Sequence, residues 1–215
     1  MKITPKAPKP KILLLPLIGM LLFVILYILA ALDYPGGSWL MPDQNGFSFW
    51  NNYLCDLLDE NAINGEFNPA RYYAIASLTL LCFSLALLWY YLPNLFSGEN
   101  FNQNIMWLSG IVSLIVTAFL SSGTHDVTVR IAGVFGVIAF ITCFMELYME
   151  KYFKLVIYGG ICLLIFLTNY YIYETGIFLN ALPVIQKITF ISCIIWFVSL
   201  DLAFYKKLLT DHANK

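Results

Sequence analysis

Six long apolar runs alternate with short polar breaks along the chain. They cover roughly 12–32, 70–92, 105–123, 130–149, 153–174 and 186–206. Each is about 19 to 23 residues, which at 1.5 Å per residue matches a hydrocarbon core of about 30 Å. Backbone groups find no water inside lipid, so each run must be helical. The breaks carry turn and polar chemistry: Pro93, Gly98 and Asn100–Asn104, then Ser122-Gly123, Glu150-Lys151, and Gly176 with Pro183. The predicted fold class is all-α: an integral membrane bundle of six transmembrane helices, forming a single membrane domain over 1–215.

One segment departs from this pattern. The polar stretch 33–69, running on to Arg71, separates the first two spans. With Arg71 it holds six of the thirteen acidic residues and two of the five tryptophans. Within it, Phe47, Trp50, Leu54, Leu57 and Leu58 recur at helical spacing, while Ser48, Asn52 and Asp56 step by four on another face. This pattern predicts an outer interfacial helix over about 46–60, apolar face on lipid or bundle.

Composition narrows the class further. The chain is 60% hydrophobic and 12% charged, with mean hydropathy +0.75, whereas soluble domains carry about a quarter charged residues. A net charge of −1 supplies no basic field for nucleic acid. The first run follows Lys2, Lys6, Lys9 and Lys11, the charge order of a signal peptide, but its length fits a retained span. The five cysteines show no CxxC pair or regular spacing, so neither a disulfide framework nor a thiolate zinc site is expected.

Orientation follows from the cations. With the N-terminus inside, the inner segments hold nine Lys, and the outer ones hold Arg71, Arg130 and Lys187. Both termini are therefore expected in the cytoplasm, in the cell membrane, with 33–69 outside. The outer acids, Asp33, Asp43, Asp56, Asp59, Glu60, Glu66, Asp126 and Glu174, outnumber the outer bases.

Candidate chemistry gathers on that outer face. His125 and Asp126 follow the third span, and Asp126–Arg130 is an i,i+4 pair suited to a helix start with Thr124 or Asp126 as cap. Asp56, His125 and Asp126 are candidate acid–base residues. Arg71 and Arg130, with Asn52 and Asn169, are candidate binding residues for a phosphate or carboxylate. Asp33, Asp56, His125, Asp126 and Glu174 could instead hold a divalent metal ion. Mutual neutralisation of arginines and carboxylates at helix ends is the third alternative. Asp201 sits in the last turns of the sixth span, where an ionisable group signals either a relay or a pair with Lys206. Glu146 reads the same way.

The segment NNYLCDLL after a YPGGS turn resembles the N-x-x-S-D-L-G element of an uncharacterised six-helix membrane family, domain of unknown function 998. SSGTHDVTVRIAG falls where that family has a G-x-F-P-x-D element followed by a histidine. Asn52 and Asp56 match best; Cys55 and Leu58 replace the family's Ser and Gly. The resemblance brings no activity with it. Ceramidase-like hydrolases need three histidines, which this chain cannot assemble. Exosortase-like transpeptidases use Cys, Arg and His, types that Cys55, Arg71 or Arg130, and His125 supply without the surrounding motifs.

The leading expectation is an outward polar pocket that binds or processes a lipid head group or small anion, with membrane lipids as partners. The alternatives are a small ion-coupled permease, with Asp201 and Glu146 on the path, and a non-enzymatic subunit docking a protein partner or a second copy through 33–69.

Overall fold

The computed structural model describes residues 5–120 and 125–213, His125 by its backbone only. Six helices are long and apolar enough to cross a membrane. They are α1 (Leu14–Leu32), α2 (Ala70–Tyr91), α3 (Phe101–Ala118), α4 (His125–Met149), α5 (Phe153–Thr175) and α6 (Leu182–Ala213). The fold is an all-α bundle, and the chain is a multi-pass membrane protein. Some helices begin before or end after their apolar runs. The NFNQN segment, expected as a break, supplies the start of α3, with the Asn100 side chain capping Gln103 N. α6 continues through its basic and polar end to Ala213. Residues 121–124, with the expected Ser122-Gly123 stop and Thr124 cap, lie outside the described residues.

Each helix packs on its chain neighbour, and α6 returns to α1, closing a ring. The end of the ring carrying both termini is filled by a core that includes Trp89, Met106, Cys143, Leu147, Trp196 and Phe204. Inside it Phe140 stacks on Trp196 at 4.9 Å between centroids, and Phe197 meets Phe140, Trp196 and Trp89 edge-on. At the other end a second cluster, with Ala30, Tyr34, Leu57, Ala70 and Leu78, joins α1 and α2 to the polar segment. That segment lies across the bundle as a roof.

The roof contains no interfacial helix. Between Gly46 and Glu60 the only helical piece is the 3-10 turn Cys55–Leu58. The four-residue spacing is real: Asn52 N reaches Ser48 O at 3.0 Å, and the Asn52 and Asp56 side chains meet. But Asn52 Oδ1 takes Ser48 N and Asp56 Oδ2 takes Tyr53 N. Short polar side chains thus compete for the backbone donors that a continuing helix would use.

Close helix contacts depend on a few glycines. A Cβ at Gly110 of α3 would lie 1.9 Å from the Trp89 indole nitrogen, which donates to Met106 O. Gly160 of α5 has nothing within 4 Å of the same atom. We expect Gly110→Ala to destabilise the bundle by about 1–3 kcal/mol through overpacking. Gly160→Ala should be neutral or stabilising, since alanine favours a helix by up to about 1 kcal/mol. Denaturant unfolding in mixed micelles measures both; equal effects would contradict the packing described.

Candidate functional site

The roof is irregular backbone whose polar groups are satisfied by side chains. Asn52 is its hub. Its Nδ2 donates to Gly37 O at 2.7 Å and Asp56 Oδ2 at 2.9 Å; its Oδ1 accepts from Gln44 Nε2 at 2.7 Å and Ser48 N at 2.9 Å. That uses all the capacity an amide side chain has. Gly37 sits at φ +84, where a Cβ would lie 2.4 Å from Asn64 N, so the YPGGS turn requires glycine there. Asn68 Nδ2 donates to Asp56 O and Asp59 O.

Three side chains from the bundle hold the roof down. Tyr27 of α1 donates to Leu54 O at 2.9 Å, and Gln186 of α6 accepts from Leu54 N at 2.7 Å. Lys187 of α6 is buried. Its Nζ donates to Asn52 O at 2.5 Å and Pro183 O at 3.0 Å, and it lies 5.4 Å and 5.1 Å from the Phe47 and Phe49 ring centroids. The aromatic faces attract the ammonium. Sequence reasoning counted Lys187 only as an outer base; the signal was two adjacent polar residues, Gln186-Lys187, opening an otherwise apolar run.

Under the roof, between α3, α4, α5 and α6, is a cavity of about 810 Å³. Phe140 and Phe197 line its deep end, over the aromatic floor. Around its mouth stand Asp56, Asp59, Glu60, Arg71, Asn169 and Gln186. Arg71, from the first turn of α2, keeps a buried Nε with no hydrogen-bond partner. The walls are mostly apolar, with Ser113, Thr117 and Thr189 bonded to their own or a neighbouring helix backbone. The space is amphipathic along its length.

Of the expected site residues, Asp56, Arg71 and Asn169 line the cavity together. Asn52 does not; it is enclosed by the roof contacts it organises. Arg130 does not line it either. Its Nε and Nη2 bind Glu174 of α5 at 3.0 and 3.2 Å on the exposed side. Asp126 accepts from Tyr173 OH at 2.6 Å. The expected Asp126–Arg130 pair is thus replaced by two α4–α5 links, because α5 brings Tyr173 and Glu174 alongside. Asp33 is exposed at the end of α1. The side chain of His125 lies outside the described residues. Among the described residues no three His, Cys, Asp or Glu side chains form a group able to hold a metal ion. Cys55 is not a poised nucleophile: burial pushes its thiol up to about 11, leaving little thiolate at neutral pH.

No protein-family model, curated protein or solved structure matches this chain. Its own geometry therefore carries the functional reading. The YPGGS turn and the Asn52–Asp56 pair meet physically, since Asn52 bonds both Gly37 and Asp56.

At the tail end, Glu146 is buried and accepts from Asn100 and Asn102 Nδ2 and Gln103 Nε2, at 2.6 to 3.2 Å. Asp201 is different. It is fully buried in α6, and neither oxygen has a partner. The expected Lys206 pair does not form; the neighbouring Lys207 instead donates to Leu95 O.

Burial raises Asp56 from 3.8 to about 6, against the pull of its bonds from Asn52 and Tyr53 and of the Lys187 charge. The folded roof thus binds this proton more tightly than the open chain. Its stabilising contribution is complete below pH 3.8 and is lost as pH rises through about 6. Amide exchange at Tyr53, corrected for intrinsic rate, should show protection falling across that window in the wild type. Asp56→Asn should flatten the profile; an unchanged slope would contradict the assignment.

Proposed function

We propose that this protein binds or processes an amphiphile with an anionic head group, a lipid or a small acid with an apolar tail, in the roofed cavity. The carrying observation is the Arg71 guanidinium, with its unpartnered buried Nε, at the mouth of a cavity whose far end is aromatic. A guanidinium with a free, buried Nε–H takes a phosphate or carboxylate, with two N–H groups aligned on two oxygens. The apolar walls take the tail. Asp56, close to half-protonation near pH 6, is the acid–base group beside the head. The nine-to-three split of cations favours the roof on the outer side of the cell membrane and both termini in the cytoplasm. Exposed Trp39 and Trp50 on the roof suit the head-group level of a bilayer.

The test is binding of a fluorescent anionic phospholipid to the detergent-solubilised protein. Arg71→Gln should weaken it about tenfold, roughly 1.4 kcal/mol. Arg130→Gln should leave it unchanged, because Arg130 serves Glu174. Equal losses, or none from Arg71→Gln, would overturn the reading.

Asp201 favours a second reading, an ion-coupled permease. A fully buried carboxyl with no partner is the feature that marks ion paths in membrane helices. It lies one turn of α6 beyond Phe197 of the cavity floor. Under this reading Asp201→Asn abolishes proton entry into dye-loaded proteoliposomes; unchanged flux removes it.

A further inference from the structure

Two cysteines, Cys162 and Cys193, share the cavity wall. α5 approaches α6 closely at Gly159, where a Cβ would fall 2.4 Å from the Phe144 ring and 2.7 Å from Trp196 Nε1. The Trp196 indole donates to Leu155 O at 2.9 Å and the Tyr158 hydroxyl to Ser192 O at 3.2 Å, fixing the register of the two antiparallel helices. Cys162 lies about one turn after Gly159, and Cys193 about one turn before Trp196. The register therefore sets them face to face. Both side chains line the cavity. The other cysteines differ. Cys82 and Cys143 pack within apolar clusters away from the cavity lining, and Cys55 meets Gln186.

We propose that Cys162 and Cys193 form a redox-active dithiol site, oxidised to a disulfide by a lipid-soluble quinone entering the cavity. The chemistry balances. Each thiol gives up its hydrogen, an S–S bond joins the sulfurs, and the quinone takes the two electrons and two protons to become a hydroquinone. The surroundings select the oxidant class. The pair faces a space walled by Phe140, Phe166, Phe190 and Phe197, which disfavours a charged, water-borne disulfide and suits a planar apolar ring. The new bond would tie α5 to α6 along the cavity wall, so the thiol state sets how far that wall can yield. The site rests on the helix register and the shared cavity wall, not on Arg71.

The experiment uses the full chain, reduced, in lipid nanodiscs, with a fully ring-substituted benzoquinone bearing a decyl tail as probe. We expect two titratable thiols per chain to disappear and one hydroquinone to form per bridge. Peptide mapping should find Cys162 linked to Cys193. Cys193→Ser should consume no thiol pair and produce no hydroquinone. Diamide, a small permeant oxidant, provides the second measurement. A bridge with diamide but none with the quinone overturns the quinone assignment. No bridge with either overturns the dithiol site, as does a bridge through any other cysteine.

Discussion

A buried ammonium holds the polar roof to the membrane bundle. Lys187 donates to the Asn52 carbonyl, and Asn52 in turn binds the Gly37 turn, the Ser48 amide and Asp56. Removing the charge would leave a buried carbonyl without its donor, and removing the carbonyl would leave the charge buried with half its partners. Either loss is expensive, since an unsatisfied buried group costs about 1–3 kcal/mol and a charged one more. The roof has almost no regular ladder of its own, so these side-chain bonds take the place of secondary structure. Asp56 fits the same economy: its charge is tolerated because Asn52, Tyr53 and Lys187 oppose the desolvation that raises its proton affinity.

The roof matters because of what lies below it. Packing fills the ring with aromatic rings at the tail end and leaves it open at the roof end. Polar groups therefore collect at one end of the cavity and rings at the other. The amphiphile we propose would lie along that gradient. Among the described residues, Arg71 supplies the one cationic lining group, at the polar end. Glu146 and Asp201 show how differently two buried carboxyls can be treated in one bundle. The first is wrapped by three amide side chains of the α3 start, a structural arrangement. The second has none, and so keeps its capacity for a proton or an ion.

The spans were legible because bilayer thickness and the absence of water leave the backbone no other choice. Gathering Asp56, Arg71 and Asn169 at one end followed from the same alternation of direction. What could not be read was which of several reachable partners each polar group would take. Asn52 and Asp56 have helical spacing, yet their side chains bind the amides a helix would need. Asp126 and Arg130 are neighbours along α4, yet Tyr173 and Glu174 of α5 stand closer to hand. Asp201 and Lys206 are five apart, which on a helix points them to different sides. Lys187 carried a sign for the topology count but no hint of its distant carbonyl. These choices are settled by contacts between helices, and local spacing is silent on them.

The connection between Lys187 and Asn52 spans 135 residues, and this has a consequence for how the molecule is made. The ribosome delivers the roof just after the first span, which supplies the Tyr27 bond, but the Gln186 and Lys187 fastenings come only with the last span. At roughly 5–20 residues per second, the partly fastened segment waits on the order of ten seconds for them. Glu146 has the opposite history, because its amide donors on α3 emerge before the carboxylate itself. Biogenesis thus meets one buried charge with its cradle already built, and leaves the lid ajar until the final helix arrives.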